Sequence, residues 1–185
     1  MELYFATTNK GKFNSMKSLL SPYVKLIQLN IKLPEPRSDD LVEITDSKLT
    51  FAYQAIKKPV MAIDAGFYIH SLKGFPKAFV NFVLDTIGIE GILKLVKGKD
   101  RLCEFKECVG YYDGNVKRFF TFSVKGSLSE EPRGDLKDHL WSSLSLIFIP
   151  HGSNKTLAEM SREEFLDWVR RYNNYNEFID FLKQV

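Results

Sequence analysis

The first segment that could carry chemistry is the polar run Thr7-Thr8-Asn9-Lys10-Gly11-Lys12, which follows a short apolar stretch and precedes residues at helical spacing. The first N–H groups of a helix have no partner within the helix and lie at the positive end of its dipole, which suits a phosphate group. Gly11 would let the backbone approach such a ligand, and Lys10 and Lys12 add positive charge. The run is not a P-loop, because it lacks the second glycine and the Gly-Lys-Ser/Thr order. An ordinary polar loop is the alternative interpretation.

Asp64 is the second candidate. It follows the apolar residues 60–63 and precedes Ala65-Gly66, which places it at the carboxyl end of a predicted strand. Ligands of α/β sheets bind at that edge, where a carboxylate can hold Mg²⁺ or orient a water molecule for attack on phosphorus. The alternative is that Asp64 only caps a turn, which is a common role of aspartate.

Acidic residues also cluster in the loop before the second predicted helix. They are Glu35, Asp39 and Asp40. Mg²⁺ binds through one or two carboxylates together with phosphate oxygens, so such a loop could take part in a metal site. Three solvated loop acids without a ligand are the alternative interpretation.

Charge and composition argue against several classes of protein. Lysine and arginine total 26 against 23 acids, and the net charge of +3 is interspersed, so no strong basic field points to duplex nucleic acid. No apolar run approaches the roughly 20 residues that span a bilayer. Residues 1–5 lack the basic region and cleavage site of a signal peptide, so we expect a cytoplasmic protein. Cys103 and Cys108 point to opposite faces of a strand-like stretch and predict no disulfide.

Positioning these groups requires a scaffold, and the spacing of apolar residues predicts alternating strands and helices in the first half of the chain. Strands are predicted over 3–6, 24–29 and 60–63, and helices from Phe13 until Pro22 and from an N-cap at Asp46 towards Pro59. Two more helices are predicted over 80–86 and 89–96. Strand, turn and helix in this order open an α/β unit.

The second half of the chain carries the signals of a hairpin and a closing helix. Asp113-Gly114-Asn115 separates two β-prone segments, 102–112 and 116–125, and is a strong hairpin signal. Residues 145–149 predict a further strand, and Ser161-Arg162-Glu163-Glu164 forms a capping box that opens a last amphipathic helix. Together these elements predict a mixed α/β fold, an elongated mixed sheet flanked by helices, in one domain over residues 1–185.

Several of these segments occur in the order that is typical of the inosine triphosphate pyrophosphatase family. Residues 5–12 resemble the family's opening Thr-x-Asn-x-x-Lys turn. Residues 63–67 and 72–76 resemble its Glu-Asp-Ser/Thr-Gly-Leu and Leu-x-Gly-x-Pro-Gly segments. Residues 148–152 and 155–160 resemble its Phe-x-Pro-x-Gly and Thr-x-Ala-Glu-Met segments, so the similarity covers essentially the whole chain.

The resemblance implies a function. Members of this family hydrolyse non-standard purine nucleoside triphosphates, such as ITP and XTP, to the monophosphate and pyrophosphate. It also implies a domain with two lobes around a cleft, Mg²⁺ as cofactor, a nucleotide as the small-molecule partner, and a homodimer. A nucleic acid or membrane partner is not expected.

The resemblance further implies roles for individual residues. Asp64 and Lys12 would be catalytic, because the carboxylate would activate water or bind Mg²⁺ and the lysine would neutralise developing charge. Asp39, at the place of a loop glutamate that ligates the metal, would bind Mg²⁺ together with Asp64. The substrate-binding residues would be Thr7, Thr8, Asn9, Lys10, Gly11, Lys12, Ala65 and Arg171.

Some positions differ from the family pattern, among them Ser15, Ile63, Ser145 and Phe165. These differences leave open a catalytically impaired relative that binds nucleotide or a protein partner without turnover. A third interpretation is an active pyrophosphatase with a changed choice of base, since the phosphate end matches the family better than the base end.

Overall fold

The computed structural model describes residues 1–34, 36–172 and 175–185 of the chain. Its strands are β1 (Glu2–Ala6), β2 (Lys25–Leu29), β3 (Val60–Ile69), β4 (Pro76–Lys77), β5 (Leu102–Tyr112), β6 (Lys117–Leu128) and β7 (Phe148–Pro150). Its helices are α1 (Lys10–Leu20), α2 (Leu41–Ile56), α3 (Val80–Thr86), α4 (Gly88–Leu95), α5 (Arg162–Tyr172) and α6 (Asn176–Leu182). Over these described ranges, the strand order in the sheet is β2-β1-β3-β5-β6-β7, with β4 paired to β3.

The sheet contains both parallel and antiparallel pairs. β1 pairs in parallel with β2 and with β3, whereas β4 pairs antiparallel with β3 and β7 antiparallel with β6. Parallel neighbours need a crossover connection, which α1 supplies between β1 and β2 and α2 supplies between β2 and β3. The predicted mixed α/β class is therefore confirmed.

The chain forms two compact units. Among the described residues, the first unit consists of 1–65, 107–122 and 175–185, and the second consists of 66–106 and 123–172. The first unit is therefore assembled from three separate stretches of sequence. It contains the polar turn after β1 and the aspartate of β3, whereas α5 belongs to the second unit.

The core of the first unit is built around α2, β1 and β3. One buried apolar cluster consists of Ala6, Leu49, Ala52, Val60 and Ala62. The buried residues of α2 recur at helical spacing and are Leu41, Ile44, Thr45, Lys48, Leu49 and Ala52. A lysine stands out in this set, because lysine is almost never buried unless it has a partner.

Helix α2 begins earlier than the sequence predicts. Its N-cap is Asp40, whose Oδ1 accepts hydrogen bonds from two N–H groups of the first turn, the nearer at 2.8 Å. The predicted N-cap at Asp46 is wrong, because Asp46 lies inside α2 and pairs with Lys117 at 2.6 Å. The apolar face of the helix already starts at Leu41, so Asp40, and not Asp46, is placed to accept hydrogen bonds from the unpaired N–H groups of the first turn.

The sequence predicts that the third strand ends at Asp64. This prediction is wrong, because β3 continues to Ile69. The glycine at position 66 suggests a turn, yet it serves a different purpose. A Cβ on Gly66 would lie 2.9 Å from the carbonyl oxygen of Lys77 on β4 and 2.8 Å from the ring of Tyr68. Gly66 thus permits the close approach of a neighbouring strand, and Asp64 has strand backbone on both sides.

In the second unit, α3 and α4 confirm the two helices predicted over 80–86 and 89–96. The single strand predicted over 145–149 is wrong. Residues Ser143–Leu146 form a 3₁₀ turn, and only Phe148–Pro150 are extended. The hydroxyl of Ser142 accepts a hydrogen bond from the N–H of Leu144, and such local serine bonds compete with strand pairing.

Two local sequence signals are confirmed in detail. In the hairpin between β5 and β6, Oδ1 of Asp113 accepts hydrogen bonds from the N–H groups of Asn115 and Val116, at 2.8 and 2.7 Å. At the start of α5, the hydroxyl of Ser161 accepts from the N–H of Glu164 at 3.1 Å. The Glu164 carboxylate in turn accepts from the N–H of Ser161 at 2.8 Å, which completes the capping box.

Cys103 and Cys108 are both buried and form no disulfide, as predicted. Within the ranges that the structure describes, no helix has the length and apolar character needed to cross a bilayer.

The cap of α2 can be tested by substitution. Asp40→Ala should lower the free energy of unfolding by about 0.5–2 kcal/mol, because two N–H groups at the start of α2 lose their acceptor. Asp40→Asn is the matched control, since asparagine caps a helix about as well as aspartate. Urea denaturation followed by circular dichroism measures both variants, and equal stabilities for the two would contradict this assignment.

Candidate functional site

The turn between β1 and α1 forms a helix N-terminus that is ordered by Asn9. Oδ1 of this N-cap residue accepts a hydrogen bond from the N–H of Lys12 at 2.9 Å. The N–H of Asn9 donates to Oγ1 of the buried Thr7 at 3.1 Å. The backbone ladder of α1 starts one residue after Lys12, so the N–H groups of Lys10 and Gly11 precede it. This geometry suits an anion.

The register of the parallel strands brings this turn to the level of the strand aspartate. Phe5 of β1 lies opposite Met61 of β3. Continuing the same register by two residues sets Thr7 level with residue 63, next to Asp64. The polar turn and the candidate catalytic carboxylate therefore lie at the same part of the sheet in the first unit.

An ion pair joins α2 to β3 at this place. Nζ of Lys48 donates a hydrogen bond to Oδ1 of Asp64, and the two side chains are only 9% and 13% exposed. Two charges so well shielded from water require each other, because an unpaired charge at such a position is costly. The pair therefore fixes the direction of the Asp64 carboxylate.

The start of α2 also belongs to the first unit. Burial raises the pKa of the Cys108 thiol to about 11, the bond with Thr45 opposes this shift, and the charges of Asp64 and Asp40 add to it. Asp40 is already engaged as the cap of α2.

A second buried acid lies on β5 in the same unit. Glu107 is 6% exposed, and its Oε2 accepts a hydrogen bond from the hydroxyl of Tyr175 at 2.5 Å. Burial raises the pKa of Glu107, whereas the Tyr175 bond and the positive charge of Lys12 lower it. Glu107 is thus a shielded acid whose side chain is held by Tyr175.

The other predicted site residues are distributed over both units. Ala65 is half-buried and follows Asp64 in β3. Arg171 belongs to the last turn of α5, in the second unit. Glu35 of the acidic cluster lies outside the described residues. The exposed members of the predicted set are Thr8, Lys10, Asp39 and Arg171.

Three residues of this region are missing from the sequence-based prediction: Lys48, Glu107 and Tyr175. Lys48 carries a detectable signal, because it occupies an apolar-face position of α2, four residues after the buried Ile44. Glu107 carries a weaker one, since it shares strand parity with the buried Val109. For Tyr175 the sequence offers no signal, because an aromatic residue before a helix is typical of core packing.

Similarity to known proteins identifies the family of this chain. Residues 3–181 match the Ham1 family. The chain belongs to this family. Among curated members, the dITP/XTP pyrophosphatase of Saccharolobus solfataricus is 37% identical over 179 residues, which covers 96% of this chain and 91% of that protein. The dITP/XTP pyrophosphatase of Thermococcus kodakarensis is 36% identical and covers 100% of this chain and 98% of its own length.

Solved structures of two Ham1 proteins have the same fold as this chain. The HAM1 protein of Coxiella burnetii superposes with a TM-score of 0.82 at 19% identity, covering 100% of both chains. The Ham1 protein of Staphylococcus aureus has a TM-score of 0.79 at 22% identity, covering 100% of this chain and 99% of that one. The resemblance to the inosine triphosphate pyrophosphatases, and the sheet flanked by helices that it implies, are thereby confirmed.

The Lys48–Asp64 pair can be tested with a double-mutant cycle. Lys48→Met should lower the free energy of unfolding by about 3 kcal/mol, because it leaves a shielded carboxylate without its partner. Asp64→Asn should be less damaging in the Lys48→Met background than in the wild type, with a coupling energy of about 1–3 kcal/mol. Urea denaturation of the four proteins gives this value, and strictly additive losses would show that the two residues do not interact.

Proposed function

We propose that this Ham1-family chain is a nucleoside triphosphate pyrophosphatase that hydrolyses non-standard purine nucleoside triphosphates, of the dITP and XTP type, to the monophosphate and pyrophosphate. Curated relatives carrying that activity in their names are 36–37% identical along nearly their whole length. The observation that carries the proposal is the helix N-terminus after β1, at the level of the Lys48–Asp64 pair. It combines an anion site with an oriented carboxylate in one unit.

The polyphosphate is bound by the turn from Thr7 to Lys12. The backbone N–H groups of Lys10 and Gly11 belong to the first turn of α1, where the positive end of the helix dipole stabilises phosphate oxygens. Asn9 and Thr7 hold the turn in this shape through their side chains. The ammonium group of Lys12 neutralises the charge that builds up on phosphate oxygens in the transition state.

Asp64 prepares the nucleophile. Lys48 engages Oδ1, which fixes the carboxylate so that it can accept a proton from a water molecule. The water oxygen then bonds to a phosphorus of the α/β linkage, the bridging P–O bond breaks, and pyrophosphate leaves. Lys48 therefore acts through Asp64 by orienting it.

Mg²⁺ is the proposed cofactor. Within the described residues, no three His, Cys, Asp or Glu side chains gather into a group that could hold a metal ion by themselves. The two carboxylates of Asp64 and Asp39 fit Mg²⁺ that arrives with its substrate, because Mg²⁺ commonly binds one or two carboxylates together with phosphate oxygens and water. Asp64 and Asp39 would hold it, and the ion would neutralise polyphosphate charge when bound.

Arg171 is the residue proposed to bind the base. Arg171 is exposed in the last turn of α5 and can donate hydrogen bonds to a purine or a phosphate. Ser145 and Phe165 differ from the family pattern, and these differences are compatible with an enzyme that prefers a different base. A relative that binds without turnover is not favoured, because Asp64 and the phosphate-binding turn are both present.

We also propose that the chain forms a homodimer in the cytoplasm, where nucleoside triphosphates are used. Support comes from large apolar side chains that are well exposed along one segment of the second unit. They are Phe75, Phe79, Phe82, Ile87 and Leu95, with Phe82 reaching 68% exposure. Such a density of exposed apolar residues is typical of an interaction surface.

The activity is tested by pyrophosphate release from a panel of nucleoside triphosphates that includes dITP, ITP, XTP, ATP and GTP. The wild type with Mg²⁺ should release pyrophosphate from the first three in preference to the last two. Asp64→Asn should lower kcat by about 10²–10⁴-fold, because the water loses its proton acceptor.

Asp46→Asn is the control, since it changes an acid of α2 whose described partner is Lys117, which also donates to Thr50. It should leave kcat unchanged. Failure of the wild type to turn over any nucleotide, with any divalent metal tried, would reject the proposed function.

The dimer is tested by analytical ultracentrifugation. Phe82→Glu should shift the wild-type dimer to a monomer, because it puts a charge into the proposed apolar interface. Phe51→Glu changes an exposed phenylalanine of α2 in the first unit and should leave the sedimentation coefficient unchanged. A monomeric wild type would contradict this part of the proposal.

A further inference from the structure

The carbonyl group of Thr7, at the start of the phosphate-binding turn, has a side-chain partner on a neighbouring strand. Nε2 of Gln28 on β2 donates a hydrogen bond to this oxygen at 3.1 Å. Thr7 is buried, and its N–H group continues the ladder between β1 and β2 by donating to the carbonyl of Leu29 at 3.2 Å. Gln28 therefore holds the first residue of this turn.

Gln28 replaces a backbone donor that the parallel ladder lacks at this point. Continuing the register in which Ala6 lies opposite Leu29 would make the N–H of Ile31 the next donor to the Thr7 carbonyl. Ile31 instead donates to the carbonyl of Leu29, two residues earlier, at 3.1 Å. The backbone after β2 thus turns away where the phosphate-binding turn begins, and the amide of Gln28 supplies the missing hydrogen bond.

The direction of the Thr7 carbonyl sets the direction of the next N–H group. In a trans peptide the C=O of one residue and the N–H of the next point in opposite directions. Strand β1 lies between β2 and β3, so a Thr7 carbonyl that is held towards β2 turns the N–H of Thr8 towards the β3 side. The N–H of Tyr4, which shares strand parity with Thr8, already donates to Pro59, directly before β3, at 3.0 Å. Strand alternation and the Gln28 bond therefore give the same direction.

The Thr8 N–H thus points to the side of the sheet that carries the candidate catalytic carboxylate. Extending the β1–β3 register, in which Phe5 lies opposite Met61, sets Thr8 level with Asp64. Among the hydrogen bonds of the described residues, none uses the N–H of Thr8. A phosphate oxygen at this place would accept from it, whereas a rotated peptide would present the carbonyl oxygen of Thr7 to the same anion and repel it.

We propose that Gln28 is a positioning residue of the phosphate-binding turn: its amide holds the Thr7 carbonyl towards β2, so that the N–H of Thr8 donates to the polyphosphate. This N–H group joins those of Lys10 and Gly11 in the first turn of α1, and backbone N–H groups gathered in this way form a concave anion site. Gln28 acts through the peptide group between Thr7 and Thr8 and does not itself bind the substrate.

The inference rests on the proposed function, and Gln28→Met tests it, because methionine has a similar length and no N–H donor. KM for ITP should rise by about tenfold, since a hydrogen bond to a charged phosphate is lost. kcat should change by less than about threefold, because the Thr8 N–H binds the phosphate in the ground state and in the transition state alike. Steady-state kinetics well below the melting temperature of both proteins measure the two constants.

Two matched controls separate this role from general effects. Lys25→Met removes a side-chain bond that also joins β2 to β1, in which Nζ of Lys25 donates to Glu2 at 2.8 Å at the far end of the strand pair. Gln54→Met makes the same substitution at an exposed position of α2. Both should keep the wild-type KM and kcat, because neither residue contacts the turn.

A binding measurement keeps the inference separate from the activity. Calorimetry with tripolyphosphate should give a dissociation constant about tenfold higher for Gln28→Met than for the wild type. In nitrogen–proton correlation NMR spectra, the amide proton of Thr8 should move downfield when tripolyphosphate is added to the wild type, because it enters a hydrogen bond to an anion. It should move much less in Gln28→Met.

The positioning role is overturned by a wild-type KM and dissociation constant in Gln28→Met, or by the same rise in either control. A Thr8 amide that does not respond to tripolyphosphate in the wild type, or a fall in kcat at constant KM in Gln28→Met, overturns it as well. If the wild type binds tripolyphosphate with the expected Thr8 response and hydrolyses no nucleotide, the positioning role holds and the proposed reaction fails.

Discussion

Pairing of charges away from water is the constraint on which the first unit depends. Lys48 and Asp64 are shielded together, and Glu107 is shielded beside Tyr175. Each of these groups would be costly alone, so the elements that carry them must meet in a fixed register. Polar contacts thereby join α2 to β3, and β5 to the segment before α6, in addition to apolar packing.

This constraint sets stability against activity. An apolar pair at positions 48 and 64 would pack more simply than the ion pair, although removal of either charge alone is destabilising. A protein selected only for stability would lose both charges. Their presence at core positions marks this region as a place where the fold accepts a less stable arrangement because of its chemistry.

The sequence predicts the backbone of this region better than its charges. The turn from Thr7 to Lys12, the hairpin at Asp113 and the capping box at Ser161 depend on neighbouring residues, so local pattern is sufficient to find them. The choice between Asp40 and Asp46 as helix cap depends on where the apolar face begins, and both positions offer an aspartate. A glycine at 66 looks like a turn until the neighbouring strand is known.

The buried pairs are harder to predict, because their partners are far apart in the sequence. Lys48 and Asp64 are 16 residues apart, and Glu107 and Tyr175 are 68 apart. Periodicity can show that a charge occupies a core position, as it does for Lys48. It cannot show which opposite charge or hydroxyl meets that position, since the answer depends on tertiary packing.

The discontinuous first unit has a consequence for biosynthesis. Its residues 1–65 leave the ribosome well before 107–122 and 175–185, which complete it. Because nascent chains emerge from the N-terminus at about 5–20 residues per second, α1 and α2 must wait several seconds for the strand and helix that finish their core. During that interval the Lys48–Asp64 pair can form, whereas the bond between Glu107 and Tyr175 cannot. The core of the first unit is therefore complete only after residues 175–185 have been synthesised.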